Sequence, residues 1–212
     1  MSIASRPSIP AADPATPQQP AWEIARLFPA QGAWTEEAYL SFTESLNQFC
    51  ELVDARVEVP DMPTKMHQQI VHALLALFLA HLRPLRRGDA IAAPYRVRLR
   101  AGGFREPDIT VYRADHLDRF GERFGDVPDL VVEVVSDDPV SRIRDYEDKR
   151  REYAAAGIPE YWIVDVMADR VLVLTLESGD YVTAADGHLT DAVTSRLFPE
   201  FTVKIADLLP TG

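Results

Sequence analysis

Three side chains in the middle of the sequence have the types and order to hydrolyse a phosphodiester with a bound metal ion. They are Asp108 in Pro107-Asp108, Glu133 inside the apolar run Asp129-Leu-Val-Val-Glu-Val-Val135, and Lys149 on the helix expected to follow. Glu133 is the most informative. It stands among β-branched residues, where an unpaired ionised carboxylate is costly to desolvate and needs a compensating partner. Two carboxylates supply hard oxygen donors, and waters or a substrate phosphate can complete an octahedron, which describes Mg²⁺ or Mn²⁺ rather than zinc. Such an ion polarises a phosphoryl oxygen and activates water, and a lysine adds a point charge for the developing negative charge.

The elements that must position these groups follow from periodicity. Asp108 to Tyr112 alternates as a strand with Asp108, Thr110 and Tyr112 on one face, and Asp129 to Val135 is apolar enough for the centre of a sheet. Asp108 and Glu133 can converge if the two strands are neighbours. A helix from about Pro139 to Ala156, stopped by Gly157 and Pro159, leads to the strand Glu160 to Asp165, so a parallel crossover is expected. Upstream, Thr35 caps a helix carrying Tyr39, Phe42, Leu46 and Phe49. Short strands follow at Cys50 to Val53 and Arg56 to Val59, and a second helix spans Thr64 to Leu82. Tyr95 to Arg100 alternates as a half-exposed strand with its arginines outward, and Arg113 to Val127 is a polar, mobile connection. A hairpin over Arg170 to Leu176 and Tyr181 to Thr183, then Phe201 to Val203, closes an α/β or α+β architecture with a mixed central sheet flanked by helices.

Composition narrows the setting. The chain has 212 residues and 47% hydrophobic content, enough for one core. Residues 1–20, with Pro7, Pro10, Pro14, Pro17 and Pro20, form an expected disordered tail, leaving 21–212 as a single domain. Cys50 alone can form neither an internal disulfide nor a CxxC zinc site, and neither a membrane span nor a secretory signal is visible, so a cytoplasmic protein is expected. A net charge of −11 argues against indiscriminate nucleic-acid binding, yet Arg83 to Arg105 is a basic island opposed only by Asp89.

Each group also has a plain structural account. Asp108 after a proline can be a turn residue, and Asp145 with Lys149 can be a surface i, i+4 ion pair. Ser136 fits best as a cap for the coming helix, and Trp162 as core. Arg96, Arg98 and Arg100 can contact phosphates or keep an edge strand from pairing with other molecules.

The string Pro128-Asp-Leu-Val-Val-Glu-Val-Val-Ser136, followed by Asp145-x-x-x-Lys149-x-x-x-Tyr153-x-x-x-Gly157-Ile-x-Glu-Tyr161-Trp-Ile-Val-Asp165, resembles the Uma-two family of restriction-type endonucleases, within the PD-(D/E)XK nuclease superfamily. The resemblance runs from about Trp34 to Leu209. It implies a restriction-endonuclease-like core, Asp108 and Glu133 as ligands of Mg²⁺ or Mn²⁺, and DNA as partner, with a homodimer allowed. The lysine expected two residues after the glutamate falls on Val135, and the resemblance implies that Lys149 replaces it from the helix. It also implies a water-mediated metal contact near Glu51 and a place close to the site for His67. The glycine usual after Asp54 is Ala55, which puts that turn in question. Three functions stay open: a metal-dependent DNA endonuclease, a catalytically degenerate nuclease fold that binds DNA or protein, and a hydrolase of smaller phosphate esters.

Overall fold

The computed structural model describes residues 28–45 and 49–209. The proline-rich tail and Leu46 of the first expected helix therefore lie outside the described residues. The unit beginning at Gln31 is compact. Its helices are α1 (Glu36–Ser45), α2 (Lys65–Leu82), α3 (Pro139–Ile143) and α4 (Lys149–Ala156), with a π-helical segment, Arg144–Asp148, joining the last two.

The main sheet has six strands in the order β10-β9-β8-β7-β6-β3: β3 (Gly88–Ala92), β6 (Ile109–Arg113), β7 (Leu130–Val134), β8 (Glu160–Asp165), β9 (Arg170–Glu177) and β10 (Asp180–Gly187). All neighbours are antiparallel except β7 and β8, which the α3 to α4 crossover makes parallel. The fold is thus α+β with a mixed central sheet flanked by helices. A second sheet, β2-β1-β5-β4, is built from β1 (Glu51–Val53), β2 (Arg56–Glu58), β4 (Val97–Arg100) and β5 (Gly103–Arg105), and β11 (Val193–Thr194) pairs with β12 (Thr202–Val203).

Alternation along β7 divides the core into two layers. Leu130, Val132 and Val134 pack with Ile70, Val71, Leu74 and Phe78 of α2, whereas Val131 and Val135 pack with Tyr153 and Ala154 of α4. Trp162 is fully buried in the first layer. Burial on both faces of β7 explains its unbroken apolar pattern, and makes Glu133 the exception that needs a partner.

Several sequence expectations change. The helix after β7 is capped by Asp138, whose Oδ1 accepts from Val140 N and Ser141 N at 2.9 Å each, so Ser136 is not the cap. Residues 113–127 are tied down rather than a free connection: they contain a 3₁₀ helix, Ala114–Arg119, Tyr112 Oη donates to Asp126 O (2.8 Å), and Gly125 bonds to the backbone of Arg96 and Arg98. Arg96 precedes β4 rather than lying on it.

Candidate active site

The register of β6 on β7 pairs Ile109 with Val132, which places Asp108 directly across from Glu133 at the mouth of the two strands. Asp108 is held there from two sides. Its Oδ2 accepts from Val134 N at 2.7 Å and lies 3.0 Å from His67 Nε2. His67 arrives from the first turn of α2, where Thr64 caps the helix and takes the His67 N–H (3.2 Å). Burial lowers the imidazole pKa, but the contact with Asp108 outweighs it and the net shift is upward.

Glu133 meets the opposite layer. Lys149 Nζ is 2.8 Å from its Oε2, and Tyr153 Oη donates to its Oε1 at 2.5 Å. Asp145 is the other partner of Lys149, 3.0 Å away, and all three charged groups are buried, so the i, i+4 pair is an interior one. Burial pushes the Glu133 carboxyl up to about 8, with Asp108 and Asp145 adding to the rise and Lys149 opposing it. Burial also works against the Lys149 charge, yet Asp145, Glu133, Glu51 and Asp108 outweigh it and hold the ammonium charged. Val135 packs in the α4 layer, and Lys149 reaches Glu133 from one turn before Tyr153. The π segment widens the helix here, and Arg144, Asp145 and Lys149 all line the same pocket.

Glu51 enters from β1 through a separate network. Arg105 of β5 binds its Oε2 at 2.6 Å, Glu152 through a fork at 2.7 and 2.8 Å, and Glu58 at 3.2 Å, while Glu106 N donates to Glu51 Oε1 at 3.0 Å. Burial would raise the Glu51 pKa, but Arg105 and then Lys149 bring it below the ordinary value. Glu106, just before Pro107-Asp108, goes the other way: burial and Glu51 push it up to about 7 against Arg96. Its Oε2 is buried without a hydrogen-bond partner.

Asp108, His67, Glu133, Lys149, Asp145, Glu51 and Glu106 line one pocket with about 70 Å³ of room, enough for several waters. Glu51, Asp61, Glu106, Asp108, Glu133 and Asp145 face it against Lys149, Arg144 and His67. Six carboxylates against three cationic side chains, with one Glu106 oxygen buried and unpartnered, leave an excess of hard oxygen donors that fits a divalent cation. Among the described residues no three His, Cys, Asp or Glu side chains form a metal-holding group. Two carboxylates with waters fit Mg²⁺, which keeps much of its hydration, better than they fit zinc.

The expected residues Asp108, Glu133, Lys149, Glu51 and His67 thus all line this pocket. The basic island does not form a free stripe. Arg96 faces Glu106 (3.5 Å), Arg98 binds Asp126 (2.7 Å) and Glu36 (3.3 Å), and Arg100 binds Asp54 (2.5 Å). Sequence reasoning missed Glu106, Tyr153 as a Glu133 donor, Arg105 and Arg144. Glu106 sits two positions before the expected acid Asp108, the one signal available for it.

The fold and pocket define an α+β protein whose central sheet presents two opposed carboxylates to a helical lysine. A family model described as "Putative restriction endonuclease", Uma2, matches residues 30–207, and the chain belongs to that family. A solved structure described as a putative nuclease belonging to DUF820, from Anabaena variabilis, is similar in fold, with a TM-score of 0.63 at 19% identity over 80% of this chain and 96% of that one. No curated protein matches.

Proposed function

We propose that this protein is a divalent-metal-dependent endonuclease that hydrolyses DNA phosphodiester bonds. The observation that carries this reading is the juxtaposition of Asp108 and Glu133 on opposed positions of β6 and β7, with Lys149 on Glu133, at the wall of one acid-rich pocket. Family membership supports it, as does the likeness in fold to the solved structure described as a putative nuclease. Asp108 and Glu133 would hold the ion, which when bound supplies Lewis acidity toward the phosphoryl oxygen and lowers the pKa of an attacking water. Both protein bonds to Asp108 fall on Oδ2, and each Glu133 oxygen keeps lone-pair capacity beyond its one protein partner.

Lys149 has three N–H donors, of which Glu133 and Asp145 use two. The third is available to stabilise charge that grows on the phosphoryl oxygens, and its raised pKa makes it an electrostatic group rather than a proton acceptor. His67 positions Asp108. Glu51, fixed by Arg105 and Glu106 N, faces the pocket where it can hold a water beside the ion. Arg96, Arg98 and Arg100 remain candidate phosphate contacts only by exchanging the acids they now hold.

Plasmid nicking in Mg²⁺ or Mn²⁺ tests the reading: the wild-type chain should nick, and Glu133→Gln should not, while unfolding at a similar temperature. Nicking retained in Glu133→Gln overturns it. DNA or protein binding without any calorimetric divalent-ion binding would instead select the degenerate binding module. Preference for a model phosphodiester over plasmid would select a small-ester hydrolase. No helix among the described residues is long and apolar enough to cross a membrane.

A further inference from the structure

An acid-lined pocket that receives a phosphodiester must offer the phosphate some positive charge besides a bound ion. Its cations differ in how much donor capacity they have left. Lys149 faces Glu133 and Asp145 and has one donor left for the phosphoryl group, and behind the wall Arg105 is committed to Glu51, Glu58 and Glu152. Arg96, on the far side of Glu106, faces that carboxylate. Arg144 lines the same pocket and holds no ion pair among the described residues. Its Nη2 donates to Ser141 Oγ at 2.8 Å, and its Nε is buried with no hydrogen-bond partner. A buried, unmatched guanidinium donor is costly to leave unpaired, and it points to an acceptor that comes from outside the chain.

The tether makes the side chain preorganised. Ser141 is buried (1% exposed), and its own N–H is fixed by the Asp138 cap. Arg144 also opens the π segment, so its position is coupled to the wide turn that brings Asp145 and Lys149 to the pocket. Its charge favours the ionised forms of Asp138 and Asp145 without pairing with either. A guanidinium offers a planar fork of donors that matches the non-bridging oxygens of a phosphate.

We propose that Arg144 is the substrate-phosphate ligand of this pocket, its unpaired guanidinium donors taking a non-bridging oxygen of the phosphodiester. This deepens the nuclease reading and rests on it for the identity of the substrate, though not for the existence of the anion site.

The test uses the full chain and three proteins: wild type, Arg144→Gln and Arg144→Lys. Arg144→Gln should lower kcat/KM for plasmid nicking about 10²–10³-fold, the range for loss of one preorganised donor to a developing anion. Arg144→Lys should recover part of that loss, and calorimetric Mn²⁺ affinity and the unfolding temperature should stay near wild type in both. Wild-type nicking by Arg144→Gln overturns the proposal. So does a loss of activity accompanied by equal loss of Mn²⁺ binding or of thermal stability, since that is the signature of a merely structural tether. If wild type does not nick at all, the nuclease reading fails, and inorganic phosphate titrated by phosphorus NMR in the presence of Mg²⁺ decides the anion site separately. Binding in wild type that Arg144→Gln removes upholds it, and no binding in wild type overturns it.

Discussion

Glu133 and Glu160 are glutamates of adjacent, hydrogen-bonded strands, both almost fully buried, and they do opposite things. Glu160 is surrounded by neutral donors: the Trp162 indole at 2.5 Å and the backbone N–H groups of Arg196 and Leu197 at 2.8 Å each. The two backbone bonds fasten the segment after β11 to the sheet, and the carboxylate faces no pocket acid. Glu133 has a cation and a phenol for partners, two further carboxylates for neighbours, and an opening to solvent. Burial alone therefore does not mark a functional acid. What separates the two is the sign of the surroundings: fixed dipoles stabilise a structural carboxylate, whereas crowded like charges leave a deficit that an incoming cation can fill.

The largest expected effect breaks the pair apart by activity. Glu133→Gln should reduce metal-dependent nicking by at least about 10³-fold, roughly 4 kcal/mol of transition-state stabilisation. Mg²⁺ in about 100-fold excess over its dissociation constant should stabilise wild type by about 2.7 kcal/mol and this variant far less, as thermal unfolding with and without EDTA would show. Equal stabilisation of both would mean that the ion does not sit on Glu133.

A third buried carboxylate, Glu51, tests the charge-partner case. Arg105 is its principal compensation, and Arg105→Leu would strand Glu51 in the interior and release Glu152, destabilising the fold by about 3–5 kcal/mol in denaturant unfolding. A cost under about 1 kcal/mol would show that water already reaches Glu51. Glu160→Gln comes next. Its amide would turn an N–H group toward donors, costing about 1–3 kcal/mol of stability, while nicking per folded molecule stays at the wild-type level. Lost nicking in fully folded Glu160→Gln would erase the distinction between the two glutamates.

The contrast also explains what the residues themselves could reveal. Asp108, Glu133 and Lys149 were legible because each lies in a segment whose period is local, and neighbouring strands bring the first two together at one register. The parallel crossover followed from the order of strand, helix and strand, and the central place of β7 from its apolar run. The strands β3 and β5 were not legible. Gly-Asp-Ala-Ile-Ala and Gly-Phe-Arg carry little strand signal of their own, and their conformation is set by pairing with β6 and with β1 and β4. Ser136 and Asp138 are both capping types, so only the geometry chooses Asp138. The pairing of the arginines was equally hidden, because Arg105 with Glu51 and Glu152, or Arg98 with Glu36, joins residues far apart in sequence.

The smallest effect concerns the turn that presents Glu51 rather than any acid. Asp54 and Ala55 join β1 to β2 with φ of 48° and 59°, so both occupy the left-handed region that a two-residue hairpin turn of this hand demands. An alanine there meets a steric penalty that glycine escapes, about 1–2 kcal/mol, against which glycine brings extra freedom to the unfolded chain. Ala55→Gly should therefore stabilise the fold by about 0.5–1 kcal/mol, read as a higher denaturant midpoint at unchanged slope. Because Ala55 contributes its carbonyl to Gly32 and Trp34 and no side chain to the pocket, nicking should not change. A gain in stability with altered nicking would mean that strain in this hairpin is transmitted through Glu51 to the site, placing the turn with Glu133 rather than with Glu160.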